Sequence, residues 1–195
     1  MKKIFICAIV GVDSIKNKYL NNNKQDVLKH VEDVAEIALR LANAYNLDTE
    51  KIRLAALLHD ISGIMTPQAM YDFAISRGFE IDPAEEKYHA LLHQRVSKII
   101  AQEEFCVTDS DILNAIECHT TLRKNASMYD KIIFIADKIS WDQKGVPSND
   151  DLLKNATIGF LNEACYLYIK YQFDNNLLVM PHQWILEAYE DLKKS

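Results

Sequence analysis

Between Gln25 and Ala44 the apolar residues Val27, Val31, Val34, Ile37, Ala38 and Leu41 recur every three or four positions, which places them on one side of an α-helix. Asn46 closes that helix, and Asp48-Thr49-Glu50 opens the next with Asp48 as its N-cap. The second pattern is apolar almost all round: Leu54-Ala55-Ala56-Leu57-Leu58 runs straight into His59-Asp60, as a centrally buried helix would. Thr66-Pro67 starts a further helix with Pro at its first position and an end near Arg77-Gly78. Asp82-Pro83 repeats the device, and the spacing predicts one long helix to about Gln102 with His89 and His93 one turn apart on one face. A shorter helix is expected from Asp109 to His119 on Ile112, Leu113 and Ile116, followed by a polar, basic connection from Thr120 to Ala126. Tyr129 to Ile139 is rich in β-branched residues, yet Ile132, Ile135, Ala136 and Ile139 keep the helical period. A loop over Gln143 to Asp150, a helix capped by Asp150 or Asp151 and reaching about Tyr171, and a last helix opened by Pro181 complete the pattern. No strand-like alternation, internal repeat or low-complexity tract interrupts it. The expected fold is all-α: one helical bundle over residues 24–195, with residues 1–23 as an N-terminal segment packed on it.

Composition narrows the picture without changing it. At 195 residues the chain can bury one core unaided, and five Gly with four Pro favour long helices over many turns. A net charge of −6 offers no footprint for nucleic acid and would repel anionic substrates unless a cation or basic cluster reverses the field locally. Cys7, Cys106, Cys118 and Cys165 show no CxxC spacing and read as reduced thiols of a cytoplasmic protein. Met1-Lys2-Lys3 and the apolar residues after it imitate a signal peptide, but the run is too short to span a bilayer and lacks a small-residue cleavage site. No membrane partner is expected.

The chemistry starts at His59-Asp60. Burying an imidazole beside a carboxylate is costly unless something pairs with both, and a metal ion does. Alone, such a pair also serves as an ordinary helix end. Company decides: His30, His59, Asp60, His93, His119 and Asp137 all lie on or at the end of apolar helices. Ligands from separate helices of a bundle can converge on divalent metal, and a set this size suits two ions, or one ion with some of the residues in supporting positions.

The segments Leu57-Leu58-His59-Asp60, Ala90-Leu91-Leu92-His93, Ile112-Leu113-Asn114-Ala115-Ile116, His119-Thr120-Thr121 and Ile135-Ala136-Asp137, with His30 ahead of them, give the chain its likeness. In that order they resemble the HD superfamily of metal-dependent phosphohydrolases, and the extra histidines resemble its YqeK-like branch from about Lys24 onward. The resemblance implies that His30, His59, Asp60, His93, His119 and Asp137 hold two divalent ions, iron first, with manganese, zinc, nickel or magnesium as alternatives. It further implies a homodimer and symmetrical hydrolysis of a dinucleoside tetraphosphate, such as diadenosine tetraphosphate, to two nucleoside diphosphates. Asp60 would bridge the ions, and Asp137 would orient the attacking water. The chain departs from the branch where a lysine follows the His-Asp pair, since it reads Ile61-Ser62-Gly63-Ile64. It departs again at Leu28-Lys29 before His30 and at Lys138-Ile139-Ser140 after Asp137. The metal set is intact while the substrate-facing surroundings differ.

Candidate substrate groups are Arg123 and Lys124 as a phosphate clamp, Lys138 as the charge that Gly63 lacks, and His89 on the turn before His93. Trp141 could stack on a base, and His182 reads as a structural residue at the start of the last helix. Three rival activities share the centre: a mononucleotide or cyclic-nucleotide phosphatase, a di-iron oxygenase, and a nucleotide sensor that binds without turnover.

Overall fold

In the computed structural model, residues 11–140, 156 and 159–194 are described, and among them every regular element is helical. Helix α2 (Gln25–Ala44) follows the sequence pattern, with Val31, Val34, Ala38 and Leu41 fully buried. It packs on α3 (Thr49–Leu58), whose Asp48 cap accepts hydrogen bonds from the amides of Glu50 and Lys51. Helix α1 (Val12–Asn21) lies against both, and the buried Tyr19 hydroxyl donates to the Leu57 carbonyl at 3.0 Å.

Beyond α3 the chain makes a 3-10 turn, Ile61–Ile64, and enters α4 (Pro67–Ser76), where the Thr66 hydroxyl caps the Ala69 amide. The expected long helix after Asp82-Pro83 is not one helix. It divides into α5 (Pro83–Lys87), a 3-10 turn at His89–Leu92 and α6 (His93–Glu103). Tyr88 leaves the helical region (φ −127, ψ 79), and the 3-10 turn it starts docks on α4. This break turns His89 away from His93: the His89 ring stacks on Tyr71 with centroids 4.0 Å apart.

Helix α7 (Ser110–Glu117) ends two residues short of His119, and α8 (Met128–Ser140) is buried along most of its length. The helix expected from Asp150 or Asp151 to about Tyr171 is broken at Gly159-Phe160: Ala156 ahead of the break is helical, and α9 (Leu161–Asp174) runs on past Tyr171. Gly159 sits at φ 96, a conformation that favours glycine, and the expected cap at Asp150 or Asp151 lies outside the described residues. Helix α10 (Gln183–Leu192) is capped by His182, whose Nδ1 accepts from the Trp184 amide. Trp141, the loop over Gln143 to Asp150 and the apolar stretch before Gly11 lie outside the described residues.

Helix α3 is the hub, touching α1, α2, α6, α7 and α8. The residues directly after the end of α3 are therefore placed at the middle of the bundle. Among the described residues no helix is long and apolar enough to cross a membrane.

Candidate metal centre

Three histidines reach the middle by the same local device. The Nδ1 atom of His59 faces the Ala56 carbonyl at 2.7 Å, that of His93 the Ala90 carbonyl at 2.6 Å, and that of His119 the Ile116 carbonyl at 2.8 Å. Each partner stands three residues back, in the last turn of a helical segment, where carbonyls lack an intrahelical donor. A carbonyl only accepts, so these hydrogen bonds assign the ring proton to Nδ1 and leave Nε2 as a lone pair. All three Nε2 atoms point inward.

Asp60 lies between them. Its Oδ1 is 3.5 Å from His93 Nε2 and 3.4 Å from His119 Nε2. Its Oδ2 is 3.8 Å from His59 Nε2 and 3.9 Å from His30 Nε2. Asp137, on α8, puts Oδ1 3.1 Å from His30 Nε2 and 3.8 Å from His59 Nε2. The residues thus form two groups able to hold a metal ion, His30-His59-Asp60 and Asp60-His93-His119, each with ligand atoms within 4.8 Å of one another. Asp60 belongs to both.

The donor set fits a cation on two independent observations. His59 Nε2 is buried with no hydrogen-bond partner, which is unfavourable for a polar atom. His93 Nε2 and His119 Nε2 stand 2.9 Å apart although both present lone pairs, an arrangement that repels unless positive charge is supplied there. Imidazole nitrogen and carboxylate oxygen are the ligands that transition-metal ions accept together.

The electrostatics agree. Burial drives the His119 pKa down to about 4 against the pull of Asp60, so the ring is neutral at pH 7, the form that can ligate. Burial also opposes ionisation of Asp60, but the imidazoles of His59, His119 and His93 gathered around it outweigh it and hold the carboxyl well below its usual range. The same contest at Asp137 is won by the Lys138 ammonium, helped by His30. Lys138 Nζ donates to Asp137 Oδ2 at 2.6 Å, leaving Oδ1 to face the two histidines.

The candidate substrate residues are spread out. Lys138 is only 6% exposed and spent on Asp137 rather than on solvent. Arg123 pairs with Glu117 and Asp130, while the exposed Lys124 lines a surface groove with Gln183 and Glu190. His89 stacks on Tyr71. The structure brings the six His and Asp residues together, but not Arg123, Lys124 or His89 with them. A cavity of about 270 Å³, lined by Asp26, Val27, His30 and Asp60, opens onto the centre.

Sequence reasoning gave no role to the residues that brace this centre. Ser62, two positions after Asp60, donates its hydroxyl to the His93 carbonyl at 2.9 Å and its amide to the Ser97 hydroxyl at 3.1 Å. Gln94 is fully buried, and its Oε1 accepts from the amides of Thr120 (3.2 Å) and Thr121 (3.3 Å), fixing the turn after His119. Polar residues adjoining a candidate ligand were the only available signal.

Comparison with known proteins adds the following. The HD domain family model matches residues 27–142. The chain is 36% identical over 139 residues to the Staphylococcus aureus protein named symmetrical bis(5'-nucleosyl)-tetraphosphatase, covering 70% of each chain. It is 40% identical over 141 residues to the Lactococcus lactis subsp. cremoris "uncharacterized protein in pepC 5'region", covering 72% of this chain and 71% of that one. Among solved structures, a Clostridium acetobutylicum protein titled a predicted HD superfamily hydrolase involved in NAD metabolism superposes with a TM-score of 0.86. It is 32% identical, and the match covers 96% of this chain and 99% of the other.

Proposed function

The chain belongs to the HD domain family, and from that premise we infer that it is a phosphohydrolase cutting a dinucleoside tetraphosphate symmetrically into two nucleoside diphosphates, with diadenosine tetraphosphate as the first candidate. HD domains are metal-dependent, and the chain has His/Asp groups able to hold metal. We assign His30, His59, Asp60 and Asp137 as the residues that would hold one ion, and His93, His119 and Asp60 as those that would hold a second, with iron the proposed occupant. The observation that carries this reading is the division of the two Asp60 oxygens between two sets of imidazoles. The name of the Staphylococcus aureus relative supports the substrate class.

When bound, such ions acidify a water and offset charge on phosphoryl oxygens. The protein's own groups do the rest. Asp137, held from behind by Lys138, turns one oxygen to the centre, where it would accept a hydrogen bond from the attacking water and orient it. The water oxygen bonds to phosphorus as the bond to the central bridging oxygen breaks; each half leaves as a nucleoside diphosphate. His59, His93 and His119 keep their orientation through the carbonyl contacts at Nδ1. None of the residues lining the cavity is Lys or Arg, so in this reading bound cations reverse a field that would otherwise repel a polyphosphate.

The test is one assay. Purified protein, its metals measured by elemental analysis, is offered diadenosine tetraphosphate beside a panel of mono- and cyclic nucleotides. Release of adenosine diphosphate, lost by at least a hundredfold in Asp60→Ala, is the expected outcome. Turnover of another nucleotide assigns a phosphatase, oxygen consumption with an organic substrate an oxygenase, and binding without product a sensor. A protein that holds none of Fe, Mn, Zn and Ni, and takes up none, overturns the centre itself.

A further inference from the structure

Thr120 follows His119 immediately, and its hydroxyl oxygen lies 2.9 Å from His93 Nε2. Since His93 Nδ1 faces the Ala90 carbonyl at 2.6 Å, Nε2 carries the lone pair and the Thr120 hydroxyl is the donor. That lone pair also faces His119 Nε2 at 2.9 Å and Asp60 Oδ1 at 3.5 Å. The threonine hydroxyl therefore points at the place where His93, His119 and Asp60 converge. It does not arrive there by chance of rotamer alone: Gln94 Oε1 accepts from the Thr120 amide at 3.2 Å and the Thr121 amide at 3.3 Å, from a fully buried position.

Resting on the metal-centre reading above, we propose that Thr120 is a further substrate-binding residue, whose hydroxyl donates a hydrogen bond to a phosphoryl oxygen on the His93–His119 side of the centre. In the metal-free protein the hydroxyl occupies the His93 lone pair. Once that lone pair is given to a cation, the O–H loses its acceptor and faces the position where an anion balances the added charge. A phosphate oxygen is the acceptor such a donor recognises, and a hydrogen bond to a charged acceptor is stronger than one between neutral groups. The two amide donors on Gln94 Oε1 hold the backbone still, so the hydroxyl needs only a change in χ1 to exchange acceptors.

The experiment uses the full chain, stripped of metal, with Mn²⁺ and then inorganic phosphate as probes in titration calorimetry. The variants are Thr120→Val, Thr120→Ser and, as a ligand control, His93→Ala. Expected is Mn²⁺ affinity in Thr120→Val within about twofold of the wild type, since the hydroxyl is not counted as a ligand. Phosphate affinity of the loaded valine variant falls on the order of tenfold or more, the scale of a hydrogen bond to an anion. Thr120→Ser recovers most of it. Unchanged phosphate affinity in a loaded Thr120→Val protein overturns the proposal and leaves the hydroxyl as a cap on His93. Loss of Mn²⁺ in Thr120→Val to the extent seen in His93→Ala also overturns it, making Thr120 a support of its neighbour. If the valine variant does not fold, Thr120→Ala against Thr120→Ser gives the same comparison. A wild type that takes up no Mn²⁺, Fe²⁺ or Zn²⁺ fails the metal centre, whereas the first two results fail Thr120 alone.

Discussion

Lys138 shows how far a residue's identity can mislead about its task. The sequence offers it as a cation beside the centre, able to make up for the charge that Gly63 does not carry. In the fold its ammonium is turned inward onto Asp137 Oδ2 at 2.6 Å, both side chains being about 5% exposed. Nothing local in the sequence distinguishes these two outcomes, because the direction of a helical side chain relative to the core depends on which neighbours cover that face. The asymmetry it creates at Asp137 matters: one oxygen is neutralised by Lys138, and the other faces His30 and His59. Removing the amine in Lys138→Met leaves a buried carboxylate short of its partner, a loss of about 3–5 kcal/mol in the metal-free protein. Bound metal supplies positive charge at the other oxygen and offsets part of that loss. Urea denaturation of both forms, metal-free and loaded, measures it. Equal destabilisation in the two forms, or none, would refute the positioning role; a raised KM with unchanged stability would return Lys138 to the substrate.

Among elements, the caps were the most legible feature and the interrupted helix the least. Asp48, Thr66, Asp82 and Asp109 each accept from amides of the turn that follows, because a short polar side chain next to a helical pattern satisfies orphan donors wherever it occurs. The break at Tyr88 has no such local signal. It depends on α5 being drawn into a buried polar group: Glu85, fully buried, accepts from Arg95 at 2.7 Å and from the Asp82 amide at 3.0 Å, with His182 of the α10 cap 3.5 Å away. This group joins α5 and α6 to α10, which lies far along the chain. Burial pushes the Glu85 carboxyl up, but the nearby His182 ring, the Asp82 amide and the Arg95 charge outweigh it and lower the pKa. A carboxyl lowered on folding stabilises the protein above its unfolded value and loses that contribution as the pH falls through its folded one. Unfolding free energies of wild type and Glu85→Gln should therefore differ most at neutral pH. They should converge as the pH drops below the ordinary glutamate range, about 4.3. Urea titrations from pH 3 to 7 read the difference; a gap that persists unchanged at pH 3 would place the effect in packing rather than charge.

For the molecule as a whole, the site was legible because convergence can be inferred without coordinates. Polar ligand types on or at the ends of strongly apolar helices meet inside when the bundle closes, and His30, His59, Asp60, His93, His119 and Asp137 do so. Which atoms face which, and that Asp60 serves two groups, depended on the relative rotation of α2, α6 and α8, which no periodicity encodes. In the proposed centre that geometry would act as a cross-link, since the candidate ligands come from α2, from the segment after α3, from the start of α6, from the turn after α7 and from α8. The unfolded chain cannot assemble this set, so metal held there would favour the folded state and stabilise it by mass action. With free ion at a hundred times its dissociation constant the gain is about 2.7 kcal/mol per site. For a chain of this size that corresponds to a rise in Tm of roughly 5–10 °C. Scanning calorimetry before chelation, after exhaustive dialysis against a chelator, and after return of Mn²⁺ should show the transition fall and recover by that amount for each ion held. His59→Ala, which deletes the buried Nε2 that lacks a partner, should shrink the recovery to the contribution of the remaining group. If the wild-type transition stays within a degree across all three conditions, the inward-pointing nitrogens are core histidines and not ligands.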